Sequence, residues 1–135
     1  MFKFVYFATL FAVALSQGAT PQCYTSGSGS ASSCTPELVK QYCQQTAKVS
    51  HTPNTWGGRC LNVGSTGRCE FYSYDSRSVS AAAADNNCEA VLNRIVQECP
   101  NGGYGTPGPN SYTFYIRPYA QGDCQSPLTV APASS

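Results

Sequence analysis

Residues 59–75 read RCLNVGSTGRCEFYSYD, which is two short apolar segments joined by Gly64-Ser65-Thr66-Gly67. Glycines adopt the positive-φ conformations that tight turns between strands require. Apolar and aromatic residues recur on both sides of this turn, as they do in β-strands. We therefore predict a β-hairpin over residues 59–75.

A third strand is predicted near the end of the chain, where apolar and polar side chains alternate over residues 111–117. Successive side chains of a strand point to opposite faces of the sheet. The two faces would carry Tyr112, Phe114 and Ile116 on one side and Thr113, Tyr115 and Arg117 on the other.

A first helix is predicted before the hairpin, over about residues 36–47. Thr35 can cap it, and Pro36 fits the first helical position. Apolar residues then recur at helical spacing, with Leu38 and Tyr42 among them. The stretch therefore has one face that can be buried.

A second helix is predicted between the hairpin and the last strand. Its apolar stripe recurs at helical spacing in Cys88, Val91, Leu92, Ile95, Val96 and Cys99. One face of this helix must therefore be buried. Ser78, Ser80 and Asp85 could each cap its start, whereas Pro100 and Gly102 set its end.

The order of these elements predicts the α+β class, with a small antiparallel sheet packed with two main helices. Two segments rich in proline and glycine, residues 50–58 and 100–110, are predicted as loops. The first contains His51 and Trp56, and the second contains Tyr104.

The chain is expected to be secreted as a single domain. Lys3 and a run of about a dozen apolar residues resemble a signal peptide, and they are too short for a membrane span. We expect a signal peptide over residues 1–18, one cysteine-rich α/β domain over 19–124 and a tail over 125–135. The oligomeric state stays open.

Eight cysteines follow the predicted signal peptide: Cys23, Cys34, Cys43, Cys60, Cys69, Cys88, Cys99 and Cys124. An even number in a small exported domain predicts four disulfides. Cys34 and Cys43 bracket the first helix and Cys88 and Cys99 the second, so neither pair is close enough to bridge. The second helix should thus be linked twice to other elements.

The charge balance argues against nucleic acid as a partner. The chain has 8 basic and 7 acidic residues, and loss of Lys3 with the signal peptide leaves seven of each. These charges are scattered singly, so no basic stripe is available for phosphates. Nine tyrosines and twelve glycines instead predict an uncharged, aromatic surface that suits neutral ligands.

The sequence offers little for catalysis. Its single histidine, His51, is expected to be a solvated loop residue and has no metal-ligand spacing to any cysteine. Glu70 and Asp75 would point to opposite faces of one strand, which is unsuitable for a glycosidase pair. We therefore predict no enzyme activity, no metal and no cofactor.

Binding is favoured by aromatic and amide side chains in or near glycine-bearing segments. Rings stack against the CH-rich faces of sugars, and amides hydrogen-bond to their hydroxyls. The candidate ligand-binding residues are Trp56, Asn101, Tyr104, Asn110 and Tyr115. The alternative is that Trp56 fills the core beside a disulfide and that Tyr104 only occupies a turn.

Four motifs resemble the small secreted glycan-binding proteins of mushrooms, the Y-three family. They are CYTSG at 23–27, GRCLNVGSTGRCEF at 58–71, CEAVLNRIVQECPNGGYG at 88–105 and YTFYIRP at 112–118. The resemblance implies an αβα-type sandwich and recognition of glycans containing N-acetylgalactosamine, without catalysis and in fungal defence. The family tends to carry an acidic residue where this chain has Arg117, so no contact is transferred to that position.

A second resemblance leads to the alternative function. Viral-type fungal killer toxins are also small, secreted, cysteine-rich α/β proteins, and they act on protein targets. They are usually basic, whereas the mature chain here is close to neutral. The sequence thus predicts a secreted lectin-like protein whose partners are glycans or glycoproteins, with a toxin-like or effector protein as the alternative.

Overall fold

The computed structural model describes residues 20–45, 47–48, 52–80, 82, 85–109 and 111–124. The predicted signal peptide and the predicted tail lie outside these residues. So do His51 and Asn110, and the structure therefore says nothing about either side chain.

The core of the fold is a 5-stranded antiparallel sheet with the order β1-β4-β5-β3-β2. Its strands are β1 (Gln22–Cys23), β2 (Trp56–Val63), β3 (Gly67–Asp75), β4 (Gly103–Gly105) and β5 (Tyr112–Tyr119). Strands β2 and β3 form the predicted hairpin around residues 64–66. The last predicted strand is confirmed as β5, which lies at the centre of the sheet.

Two helices pack on this sheet, as the sequence predicts. Helix α1 covers Pro36–Gln45, and helix α2 covers Asp85–Glu98. Asp85, one of the three proposed capping residues, is the first residue of α2 itself, and Ser78 and Ser80 lie further towards the N-terminus. A short 3-10 helix, Ala31–Ser33, precedes α1. The α+β class is therefore confirmed.

Two predicted loops are in fact partly strand. Trp56 begins β2, where it pairs with Tyr74 of β3, and Tyr104 lies in β4 between β1 and β5. The glycines of β4 indicated a loop, but they serve close packing instead. A side chain at Gly103 would overlap the carbonyl oxygen of Gln22, so only glycine lets β1 approach β4.

Both helices pack against the same face of the sheet. The ring of Tyr42 on α1 stacks on Phe71 of β3 at 5.2 Å, and Ile95 of α2 contributes to the same buried cluster as Phe114 and Ile116 of β5. The described residues therefore form two layers, whereas an αβα sandwich has three. The other face of the sheet has no described helix against it.

Four disulfides link the elements, and all eight cysteines are paired. The pairs are Cys23–Cys99, Cys34–Cys69, Cys43–Cys88 and Cys60–Cys124. The two pairings that the sequence excluded do not occur. Cys88, near the start of α2, is bonded to α1, and Cys99, just after the end of α2, is bonded to β1. The expectation that this helix is linked twice to other elements is therefore confirmed.

A buried carboxylate, that of Asp75, lies at the end of the hairpin opposite its turn. Asp75 is fully buried, and its Oδ1 accepts hydrogen bonds from the backbone N–H and the Nε of Arg77, each at 3.0 Å. The Arg77 guanidinium also lies 4.5 Å from the ring centroid of Tyr112. Burial alone would raise the pKa of Asp75, but these hydrogen bonds and the charge of Arg77 outweigh it, so the pKa lies below its usual value.

We expect Asp75→Asn to lower the free energy of unfolding by about 2 kcal/mol at pH 7, because it removes a charge-assisted hydrogen bond. The folded pKa lies below the unfolded value of about 3.9, so the carboxylate stabilises the fold above that pH and loses its contribution as the pH falls through the folded pKa. Urea unfolding of both proteins at pH 7, 4 and 2 measures this.

The control for this prediction is Asp123→Asn, which changes an exposed carboxylate in the segment after β5. Its stability should stay within about 0.5 kcal/mol of the parent at every pH. A difference between Asp75→Asn and the parent that is as large at pH 2 as at pH 7 would show that the charge of Asp75 does not stabilise the fold.

Candidate functional site

The sheet face opposite the helices carries most of the strand aromatics, and we call it the outer face. Alternation along the strands and the register between them define its members. From β2 to β4 it carries Trp56, Gly58, Cys60, Asn62, Arg68, Glu70, Tyr72, Tyr74, Thr113, Tyr115, Arg117, Tyr119 and Tyr104. The predicted division of β5 into two faces is therefore confirmed.

Four rings follow one another along this side of the molecule, and we call them the aromatic row: Trp56, Tyr115, Tyr104 and Tyr24. The ring centroids of Trp56 and Tyr115 are 5.1 Å apart, those of Tyr115 and Tyr104 are 5.3 Å apart, and those of Tyr104 and Tyr24 are 6.2 Å apart. These distances fall within the range of favourable ring–ring contacts. The row is thus one continuous aromatic surface.

The row is open to solvent at its Trp56 end. Trp56 is 36% exposed and rests on Tyr74, with ring centroids 4.5 Å apart, whereas Tyr115 is only 9% exposed between its neighbours. The hydroxyl of Tyr74 donates a hydrogen bond to Oδ1 of Asn54 at 3.1 Å. Tyr115 therefore serves as the base of the row, and Trp56 offers the larger free ring surface.

Two tyrosine hydroxyls of this face, those of Tyr115 and Tyr72, are neutral at ordinary pH. Burial raises the pKa of Tyr115 to about 12, and the neighbouring phenols of Tyr24 and Tyr104 add to the shift. Burial also raises the pKa of Tyr72, whose hydroxyl donates a hydrogen bond to Glu70 at 2.6 Å. A neutral phenol can both donate and accept hydrogen bonds, as sugar hydroxyls require.

Glu70, the carboxylate of the outer face, is already engaged by its neighbours. Its Oε1 accepts a hydrogen bond from Nε of Arg68 at 3.1 Å, and its Oε2 accepts the one from Tyr72. Asp75 points to the helix side of the same strand, as predicted, so these two carboxylates cannot act as a facing pair. The described residues hold no cluster of His, Cys, Asp or Glu suited to a metal ion.

A pocket adjoins the Tyr24 end of the aromatic row. It has a volume of about 260 Å³ and is lined by residues 24–28, Asn101 and residues 117–119. The guanidinium carbon of Arg117 lies 5.1 Å from the centroid of the Tyr24 ring, so Tyr24 belongs to both the row and the pocket. The pocket and the row therefore form one continuous surface.

The structure brings together three of the five predicted ligand-binding residues, namely Trp56, Tyr104 and Tyr115. The alternative that Trp56 fills the core is wrong, because its ring is exposed on the outer face. Asn101 lies apart from these rings, in the turn after α2, and lines the pocket. Asn110 lies outside the described residues.

Sequence reasoning did not select three residues of this surface, which are Tyr24, Tyr74 and Arg117. Tyr74 could have been found from the hairpin, because its register places Tyr74 opposite Trp56. Arg117 follows the same alternation that places Tyr115 on the outer face of β5. Tyr24 gave no such signal, because β1 has only two residues and its pairing with β4 is not local.

A search of the described residues for a helix that is both long and apolar enough to cross a membrane finds none.

Comparison with known proteins finds two similarities. The family described as "Glycan binding domain Y3" matches residues 33–124, which is most of the chain. One relative is the protein named "Antiviral protein CAP" of Coprinus comatus, which is 30% identical over 92 residues. The matched region covers 66% of this chain and 89% of that relative.

Proposed function

The chain belongs to the Y3 glycan-binding domain family, and we propose that it binds glycans through the aromatic row of its outer face. One observation supports the aromatic row as the binding surface. Trp56, Tyr104 and Tyr115 come from three separate strands, and their rings meet in a continuous line with Trp56 exposed. Rings arranged in this way can stack against successive sugar faces.

The polar groups around the row suit the hydroxyls of a sugar. The phenol of Tyr115 stays a neutral donor and acceptor. Asn54 lies at the Trp56 end, where it accepts a hydrogen bond from Tyr74. Asn101 supplies an amide at the opposite end, in the pocket. Binding here requires no catalytic step, so we propose a lectin-like protein that is not an enzyme.

The finer parts of the proposal concern the ligand and the setting. We propose a mainly neutral glycan that contains N-acetylgalactosamine, in keeping with the uncharged rings of the row. Four disulfides support an exported protein, because such bonds persist in oxidising compartments. A role in fungal defence is supported by the name of the relative, which is an antiviral protein.

Glycan-array binding of the secreted full chain tests this function. We expect selective signals at micromolar protein for glycans with N-acetylgalactosamine, and inhibition of those signals by the free sugar. An array without any bound glycan at that concentration would contradict glycan binding. Growth inhibition of target cells that free sugars leave unchanged would favour the alternative of a toxin or effector that acts on a protein.

A further inference from the structure

We infer that the pocket beside the aromatic row binds the anionic group, a carboxylate or a sulfate, of one acidic sugar in an otherwise neutral glycan. This inference rests on the proposed function and adds a charged subsite to it. The inference is based on one observation: a guanidinium, a set of hydroxyl groups and an amide surround a single cavity at the end of the row.

Arg117 supplies the charge of this pocket. It projects from β5, is half-buried, and is the one formally charged side chain among the described residues that line the cavity. A guanidinium presents several N–H donors in a fixed plane that matches the oxygens of a carboxylate or sulfate. Its partial burial reduces its contact with water and so strengthens such an ion pair relative to an exposed one.

The surroundings of Arg117 keep it charged and oriented. Burial alone would lower the pKa of Arg117, but the hydroxyls of Tyr24 and Tyr119 outweigh this effect and raise it. Glu70 is the register partner of Arg117 on β3, and its carboxylate accepts hydrogen bonds from Arg68 and Tyr72. An anionic ligand would therefore meet a cationic site on this side of the sheet.

The other residues that line the pocket carry neutral hydrogen-bonding groups. Residues 24–28 read YTSGS and provide three aliphatic hydroxyls, and Asn101 provides an amide. At Gly27 a side chain would come within 3.2 Å of the backbone oxygen of Asn101, so a larger residue there would crowd the pocket wall. These groups suit the remaining oxygens of an acidic sugar.

The pocket is built on fixed elements. The disulfide Cys23–Cys99 holds the start of the wall to the end of α2, and the N–H of Tyr24 donates a hydrogen bond to the carbonyl of Gly102 at 3.0 Å. Ordered walls reduce the entropy that is lost when a ligand binds. The cavity is therefore pre-formed and does not have to be assembled by the ligand.

The position of the pocket determines which part of the glycan reaches it. Tyr24 lines the cavity, and its ring continues the row at 6.2 Å from that of Tyr104. A glycan that stacks its neutral residues along the row thus presents the next residue to Arg117. Acidic and neutral sugars would occupy two neighbouring parts of one surface.

The test compares Arg117→Gln with a matched control, Arg59→Gln. Arg59 lies on the helix side of β2, where it donates a hydrogen bond to Gln45, so the control removes the same charge away from the site. Affinities are measured by calorimetry for one neutral oligosaccharide that the protein binds and for its carboxylated and sulfated derivatives. The two derivatives identify which anion the pocket prefers.

We expect the parent protein and Arg59→Gln to bind one acidic derivative at least tenfold more tightly than the neutral parent sugar. Arg117→Gln should lose this preference and still bind the neutral sugar. Arg117→Lys should retain part of it, because the charge stays and the planar fork is lost. Added salt should weaken the acidic derivative selectively in the parent protein, which is a readout that does not depend on the fold of a variant.

Two outcomes distinguish a failure of this inference from a failure of the proposed glycan binding. Equal affinities for neutral and acidic sugars in the parent protein, or a preference that survives in Arg117→Gln, would overturn the charged subsite and leave glycan binding intact. Binding of no oligosaccharide of either kind by the parent protein would overturn both proposals.

Discussion

Replacing Trp56 by alanine is expected to lower the affinity for a bound glycan about a hundredfold, as for a hot-spot aromatic residue. Trp56 has the largest ring of the aromatic row and is 36% exposed, while its other side packs on Tyr74 and Tyr115. Alanine removes the stacking surface and leaves the base of the row in place. Calorimetric titration with a glycan identified on the array measures the loss.

Two variants make this result specific to stacking. Trp56→Phe keeps an aromatic ring, so it should recover most of the affinity that alanine removes. Val79→Ala changes a second large exposed hydrophobic residue among the described residues, which is 60% exposed and outside the row, and this variant should bind like the parent. A folded Trp56→Ala protein with unchanged affinity would place the glycan site elsewhere.

Removing the disulfide between the helices is expected to destabilise the protein by about 4 kcal/mol. Cys43 on α1 and Cys88 on α2 are 45 residues apart in sequence, and both are fully buried. Without the bond the unfolded chain gains the freedom of that loop, and two alanines also pack less well than the sulfurs. Urea unfolding of the double variant Cys43→Ala/Cys88→Ala measures the change.

The matched control is the double variant Cys60→Ala/Cys124→Ala. That disulfide spans 64 residues, so its loop entropy is similar, but its cysteines are partly exposed. A larger loss for the helix pair would identify the contribution of packing. If the helix pair loses less than about 1 kcal/mol, the disulfide is not a main source of stability, contrary to the expectation for small exported domains.

The sequence was informative wherever a pattern repeats over a few residues. The hairpin, strand β5 and both helices were predicted within a few residues of their observed bounds. The signal failed for β1 and β4, which have two and three residues. Strands of that length have no period of their own, and the glycines of β4 are typical of loops until β1 and β5 pair with it.

The candidate site was predictable in composition and not in arrangement. Trp56, Tyr104 and Tyr115 were selected because stacking on sugars requires rings. Their mutual contacts depend on the order β4-β5-β3-β2, which no local pattern specifies. For the same reason Arg117 and Tyr24, which are more than 90 residues apart, could not be joined in one pocket from the sequence.

The amino-acid sequence by itself determined the helices, the longer strands, the faces of β5 and the two cysteine pairings that cannot form. Backbone sterics and side-chain periodicity set these features, and both act between residues that are close in the chain. Only the tertiary structure decided the order of the strands, the cysteine partners, the shared side of both helices and the union of the aromatic row with the pocket of Arg117. Those choices depend on which distant segments together bury the common core, and that is a property of the whole chain.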